Sequence, residues 1–501
     1  MDGLSGLLFA LVAVFVTSCV IKLFNGLQTV NHIPGYRPPF TPFGFPGVVL
    51  PTRWWNTGLD MHFVRRYDMY KEREYMSLVP FISGKPAIWS NNLDVAKQVE
   101  AGVWHCGMLF QLQIGCTQSD DSKTSLWGTN LAASNGEAWR KHRRVMGPAF
   151  NVKLYRIVWE KTREIYKEMV SEGEWATKRE VDVDPLQSIT YKLALIILGT
   201  CGFGLPGSWI KQTHDAHYQL NLFMKEQIEL RRSRISDGQI GSSSEGDKAA
   251  GNNLLNLLVQ ASEDEEGKYQ LNDDELISNV FLLLLAGHET TANALAATFG
   301  YLAVNPHVQQ EIYQHIIDTV GHKDIEFEDY AKLNKVVSAF IEAVRLIPGG
   351  HVLIREAAED TILEIPTDPR FDSEGAKLGR KQTIPVKKGT EVVVDMIGLH
   401  RNPRYFEDPE EYRPSRWYDI PNDSELFTGF SVGPRACIGR KFATAEAVCY
   451  LTMLLRDWDV KPLLRSGETE NEWRGRCLVP NFSLTLGAAN IGVKFIRRPQ
   501  A

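Results

Sequence analysis

The residues from Phe430 to Ala443, FSVGPRACIGRKFA, place a single thiol where it could do chemistry. Gly433 and Gly439 flank Cys437 and relieve crowding around the backbone. A loop needs that when its backbone must lie against a large flat ligand. The run after it, GRKFATAEAVCYLTMLL, reads as a helix, so Cys437 stands at a helix N-terminus. There the dipole and the free N–H groups favour a thiolate, and Arg435 adds a nearby cation. A metal ion would deprotonate such a thiol outright. On these residues alone, a plain buried cysteine is an equal reading.

Two further constellations carry polar groups in apolar surroundings. Glu289 and Thr290, within AGHETT, form an acid–alcohol pair inside an apolar run; the bland reading is a threonine bonded back to a carbonyl one turn earlier. Glu342 and Arg345 are three apart in EAVR and share a helix face, where an exposed pair is worth only ~0.3–0.5 kcal/mol. No CxxC pair and no HExxH occurs, which argues against zinc. Seven scattered cysteines make no disulfide framework and fit a reducing compartment. A net charge of −6 gives no reason to expect nucleic acid as a partner.

The elements that must position these groups are legible in the pattern. DDELISNVFLLLLAGHETTANALAATFGYLAV, from about Asp273 to Val304, predicts a helix about 48 Å long at 1.5 Å per residue. Asn272 or Asp273 can cap it, acids fill its first turn, and Asn305-Pro306 ends it. Its middle is apolar on every side, which predicts burial. The chain from about 85 to 345 reads as mostly helical; past 350, TILEI, TEVVVDMI and FSLTL read as short strands. Ser236 to Lys248 is Ser/Gly-rich and reads as a surface loop.

The N-terminus is of another kind. Gly3 to Ile21 carries no charge and would span about 28 Å as a helix, close to one hydrocarbon core. Only Asp2 is charged before it, whereas a cleaved signal peptide wants a basic start. Lys22, Arg37 and Arg53 follow it, which places the remainder in the cytosol. Pro34, Pro38, Pro39, Pro42 and Pro46 then predict a semi-rigid spacer. The expected division is an anchor over 1–25, a hinge over 26–50 and one large, mainly α domain with a minor β region over 51–501.

FSVGPRACIG resembles the haem-binding loop of the cytochrome P-450 superfamily, matching it at Phe430, Gly433, Arg435, Cys437 and Gly439, with Ala443 a sixth match. AGHETT resembles the family's oxygen-activation segment, EAVR its ExxR motif, and WRKHR, Trp139 to Arg143, the tryptophan–arginine pair of its C helix. The anchor and proline stretch resemble microsomal eukaryotic members, and the long loops resemble fungal members of secondary metabolism or detoxification. The resemblance covers about residues 35 to 500. The sequence departs from the family pattern at Ser415 and Trp417 in EYRPSRW, where an acid and a phenylalanine are usual, and in the long stretch from Pro366 to Thr383.

The resemblance implies a mainly α haem-thiolate monooxygenase fold, with haem b held by Cys437 as axial iron ligand. It implies that Glu289 and Thr290 deliver protons, with Ala286 and Gly287 letting the long helix lie close over the porphyrin and His288 structural. Trp139, Arg143, Arg355 and Arg435 would meet the propionates, and Glu342, Arg345 and Arg416 would form a structural ion cluster. Electrons would come from an NADPH-dependent flavoprotein reductase, steered by Arg440, Lys441 and the basic residues from 140 to 144. The enzyme would sit on the endoplasmic reticulum membrane, single-pass and facing the cytosol. Its substrate would be a lipophilic terpenoid, sterol, fatty acid or polyketide, met by residues 108–113, 281–286 and 349–352 and by Phe482, with His351 a polar handle. The rival functions are a reductase-independent haem-thiolate isomerase or dehydratase, which the acid–alcohol pair argues against, and a non-catalytic membrane haem-binding protein.

Overall fold

The computed structural model describes residues 2–101, 104–106, 129–202, 217–236, 254–263, 269–421, 424–482 and 485–499. The Ser/Gly-rich stretch from 237 onward, the 108–113 segment and Asn422 lie outside these. Eight helices matter to the site: α1 (Asp2–Thr29), α2 (Leu93–Glu100), α3 (Gly136–Met146), α4 (Val152–Ser171), α5 (Gln187–Ile197), α6 (Asp273–Ala303), α7 (Asn334–Leu346) and α8 (Arg440–Asp457). The chain forms two compact units, Met1–Phe110 with His351–Glu410 and Val432–Arg435, and Gln111–Gly350 with Glu411–Ser431 and Ala436–Ala501.

The first unit is built on a six-stranded sheet. Its strands run, edge to edge, Gly35–Tyr36, Tyr75–Leu78, Ala87–Ser90, Glu391–Asp395, Val352–Ala357 and Trp104–Cys106. The central strands are buried along nearly their whole length, so they read as continuous apolar runs. The proline stretch is laid against this sheet. Proline has no N–H to give but keeps its carbonyl, and Pro34, Pro38 and Pro39 accept from Ser77, Phe81 and Ile82 at 2.9–3.0 Å. Proline is suited to an edge position where its carbonyl is used and no N–H is required.

Helix α1 has two parts. Ser5 to Ser18 is exposed on every side. From Lys22 onward the helix packs on the unit: Lys22 Nζ donates to the Ile82 carbonyl at 2.9 Å, and Leu23 and Leu27 join the core. A Cβ on Gly26 would stand 2.5 Å from Val79 Cγ1, so only glycine allows this approach.

The second unit is helical around α6. Asn272 and Glu275 make a reciprocal capping box at its start, and Pro306 opens the next helix after its end. Two helices among the described residues are long and apolar enough to cross a membrane, α1 and α6; most of α6 is buried in the protein, which makes it a core helix. A small three-stranded sheet joins Trp458–Pro462, Val493–Arg497 and Glu180–Val183, and Pro480–Phe482 pairs with Leu486–Ala488 in a hairpin.

The EAVR motif is the ionic centre of this unit. Arg345 Nε and Nη2 donate to both oxygens of Glu342 at 2.8 and 2.9 Å, with both side chains fully buried. Arg416 adds a contact at 3.2 Å, and the Arg413 backbone N–H another at 2.9 Å. Trp417, the departure from the family pattern, donates its indole N–H to Glu342 at 2.8 Å. A phenylalanine there could not, so this substitution adds a donor to a buried carboxylate. Trp417→Phe should therefore cost about 1.5–3 kcal/mol in chemical denaturation, the range for a hydrogen bond to a charged group. An unchanged midpoint would show that the indole contributes packing alone.

Candidate functional site

The cysteine loop forms as its residue types require. The Cys437 N–H donates to the Phe430 carbonyl at 2.8 Å, closing the turn, and Gly439 is the N-cap of α8. In the first unit, Gly433 has φ +69°, and a Cβ there would meet Glu100 Cβ at 3.2 Å. Both conformation and space call for glycine at that point. Arg435 follows in the same short 3-10 turn. Gly439, by contrast, has φ −82°, so its smallness is not a matter of backbone conformation.

Cys437 has exposed surface, yet burial is the largest influence on its thiol and pushes its pKa up. Protein surrounds the sulfur at middle range and leaves one side of the residue open. Against burial stand the backbone N–H groups of Gly439 and Arg440 and the charges of Arg143 and Arg440. Hydrogen-bond donors and cations aimed at a sulfur are the environment of a thiolate ligand, so these residues fit haem-thiolate binding. Ala443, one turn into α8, is buried and donates its N–H to the Gly439 carbonyl at 2.9 Å.

Helix α3 presents the other contributors. Trp139 and Arg143 share one half-buried face, four residues apart, while Arg140 and Arg144 are exposed. The helix is clamped to α6 by Lys141–Glu275 at 2.5 Å and by Asn279 Nδ2 against His142 Nδ1 at 2.8 Å. Burial pulls His142 down to about 4, so it is neutral and hydrogen-bonded as a core histidine. The expected basic surface is reduced: Arg140 pairs with Glu137, Arg144 lies 4.4 Å over Tyr269, and Arg440 lies over Phe427 and Phe430 at 5.6 and 5.8 Å. Lys441 remains exposed.

On α6 the acid and the alcohol face different ways. Glu289 is buried and accepts from both the N–H and the hydroxyl of Thr485 at 3.0 Å. Thr290 donates its hydroxyl to the Ala286 carbonyl at 2.8 Å, and its Cγ2 lies against Gly349. The two side chains thus do not bond each other, and Thr290 makes the ordinary back-bond of a helical threonine. The helix runs unbroken through this segment. Ala286 is exposed. Gly287 is small for a reason unforeseen in the sequence: a Cβ there would meet the Leu198 side chain at 3.0 Å. His288 bonds the Leu284 carbonyl at 2.7 Å, as a structural histidine does.

In the first unit, Arg355 is buried and paired with Glu100 at 2.6 Å. Sequence reasoning missed that partner, as it missed Thr485 for Glu289; each lies about 200 residues or more away in the chain, where spacing carries no signal. His351 is buried with its ring 5.5 Å from that of His62, and burial takes it down to about 3. Glu446, more than two turns past Cys437 in the chain, is fully buried on α8, and neither carboxyl oxygen has a partner among the described residues.

The family model for cytochrome P450 matches residues 200–484. A cytochrome P450 monooxygenase of Postia placenta, number 124, is 30% identical over 423 residues, covering 75% of this chain and 77% of that one. A cytochrome P450 monooxygenase of Arthrobotrys oligospora is 24% identical over 429 residues, covering 69% and 71%. A crystal structure of a cytochrome P450 (CYP102L1) superposes with a TM-score of 0.65 at 18% identity, over 93% of this chain and all of that one. The chain belongs to the cytochrome P450 family. It is a monooxygenase, and members of the family bind haem b through a cysteine thiolate.

Burial moves Glu446 from 4.5 to about 8, so it is neutral in the folded protein at pH 7 and ionised in the unfolded chain. Folding stability is therefore lost as pH rises from about 4.5 to about 8. Glu446→Gln keeps the shape without the titration. Its stability advantage over the wild type should widen across that window when denaturation midpoints are compared at several pH values. A gap independent of pH would mean that the carboxyl is ionised in the core.

Proposed function

We propose that Cys437 is the axial ligand of the haem in a membrane-anchored monooxygenase acting on a lipophilic substrate. The observation that carries this reading is the convergence of two backbone N–H groups and the charge of Arg143 on the Cys437 sulfur. A thiolate-ligated haem supplies activation of dioxygen, with one oxygen atom going to the substrate and the other to water.

This chain's residues would prepare that chemistry. Gly433 and Gly439 would let the loop backbone approach the cofactor, and the Phe430 carbonyl holds the Cys437 N–H. Trp139, Arg143 and Arg435 would neutralise the propionates. Arg355 would join them by sharing its charge between Glu100 and a propionate. Glu342, Arg345 and Arg416 hold the chain that leads into the loop. Ala286, exposed on α6, would leave room for dioxygen beside the cofactor. Thr290, whose hydroxyl proton is committed to Ala286, offers lone pairs that accept from a water, and Glu289 would supply protons when it leaves Thr485.

The exposed half of α1 supports an anchor over 1–25, with 26–50 joining it to a catalytic domain over 51–501. Lys22, Arg37 and Arg53 support a single-pass, cytosol-facing orientation on the endoplasmic reticulum. A membrane-bound enzyme favours substrates that partition into lipid: terpenoids, sterols, fatty acids or polyketides, including those of secondary metabolism. The electron donor would be an NADPH-dependent flavoprotein reductase, with Lys441 beside the cysteine loop as an exposed cation for it.

Cys437→Ser should abolish the thiolate-type spectrum of the reduced, carbon monoxide-treated haem protein while other secondary structure persists by circular dichroism. Persistence of that spectrum would hand the ligand role to another cysteine. Thr290→Ala should bind haem and substrate normally but lower product formed per NADPH and raise hydrogen peroxide, within the ~10²–10⁴-fold range of general acid–base effects. Full coupling in that variant would leave the threonine as a helix-stabilising residue, and turnover without NADPH would identify an isomerase.

A further inference from the structure

Glu289 is held by a chain of groups that extends beyond Thr485. The Thr485 N–H and hydroxyl both donate to Glu289 Oε1 at 3.0 Å, so the Thr485 oxygen is left to accept. It accepts from Asn293 Nδ2 at 3.3 Å, and Asn293 Oδ1 accepts from the Tyr191 hydroxyl at 3.0 Å. Asn293 stands one turn past Glu289 on α6, Tyr191 lies on α5, and Thr485 precedes the second strand of the hairpin.

Every donor in this chain points towards Glu289. Such a one-way series polarises its members, so the last bond, to the carboxyl, is strengthened by the first. Burial pushes the Tyr191 phenol up, and the charge of Glu289 adds to this. The phenol therefore keeps its proton and heads the chain as a donor.

The hairpin is seated so that this chain persists. Gln187, one turn before Tyr191 on the same face of α5, donates to the Ala489 carbonyl at 2.7 Å and accepts from the Ile491 N–H at 3.1 Å. A Cβ on Gly487 would stand 2.7 Å from Asn293 Cγ, so the strand lies directly on that amide. Leu486 donates its N–H to the Gly349 carbonyl at 3.1 Å, and Gly349 lies against Thr290 Cγ2. Two neighbouring residues, Thr485 and Leu486, thus hold the acid and the turn that packs on the alcohol.

We propose that Tyr191, Asn293 and Thr485 form a latch on Glu289, positioning residues that withhold its proton until the Thr485 bonds open. This rests on the reading of Glu289 as the proton source. While the latch is closed the acid is kept on the hairpin. A substrate that shifts the turn at Gly349 would open it through Leu486.

The test needs no substrate. With the reductase, NADPH and dioxygen alone, one NADPH and one proton reduce dioxygen to hydrogen peroxide, whereas two NADPH and two protons reduce it to two waters. Cleaving the O–O bond on the second route requires proton delivery, so the share of peroxide reads how freely Glu289 supplies it. Tyr191→Phe and Thr485→Val each remove one hydroxyl and little else. Both should lower the peroxide formed per NADPH below that of the wild type, the opposite of what damage to the site would do. Glu289→Gln should raise it, and Tyr191→Phe should add nothing in that background. Independently of turnover, hydrogen–deuterium exchange at the Thr485 amide should quicken about two- to tenfold in Tyr191→Phe, the factor that one hydrogen bond is worth. Peroxide unchanged or raised in both hydroxyl variants, with Glu289→Gln still raising it, overturns the latch and leaves the proton source standing. Glu289→Gln without effect on peroxide overturns the proton source and the latch with it. A Tyr191→Phe effect that survives in the Glu289→Gln background, or an unchanged Thr485 amide, also overturns the latch.

Discussion

The second unit depends on one buried carboxylate. Glu342 is fully removed from solvent, and an unpaired charge there would cost several kcal/mol. It is tolerable because donors arrive from two directions: Arg345 from its own helix, and Arg413 N–H, Arg416 and Trp417 from the segment leading to the cysteine loop. Arg345 also reaches the Glu411 carbonyl at 2.9 Å. Tyr412 extends the clamp, donating to the Ala339 carbonyl at 2.9 Å and stacking on Tyr301 of α6 at 4.9 Å. An irregular stretch that would otherwise be free is thereby fixed against α7 and α6, and the chain enters the cysteine turn from a defined point.

The cysteine turn rests on a second electrostatic balance. Burial alone would keep the Cys437 thiol protonated; backbone N–H groups at the start of α8 and the guanidinium of Arg143 work in the opposite sense. Helix α3, which carries Arg143, is fastened to α6 through Lys141 and His142. A salt bridge and a neutral histidine thus help to fix the helix that brings one cation near the sulfur. Helix α6 divides its own labour by face: Glu289 turns to Thr485 on the hairpin, Thr290 and Ala286 turn to the open side, and Gly287 admits Leu198.

The first unit obeys a different constraint, the supply of backbone donors and acceptors at a sheet edge. The proline stretch satisfies it mainly through its carbonyls, with the Thr41 N–H donating back to the Ser83 carbonyl. That arrangement brings the root of α1 and the proline stretch to the same turn.

Much of this was legible in the sequence, because it depends on near neighbours along the chain. The extent and cap of α6, the glycine at 433, the helix after Cys437, the apolar run of α1 and the pairing of Glu342 with Arg345 all follow from local periodicity, capping chemistry and spacing. The motifs also identify the family without any coordinates. What the tertiary structure alone decided are the partners across long loops. Trp417 is a departure in the sequence and a hydrogen-bond donor in the structure. Glu289 bonds Thr485, not its neighbour Thr290; Arg355 is paired with Glu100; Gly287 packs tightly against Leu198; the proline spacer is a sheet edge. The physical reason is common to all of them. A residue's own type limits how many bonds it can make and how much space it fills. Which group makes those bonds, from 75 to more than 250 positions away, is set by packing that has no period in the chain.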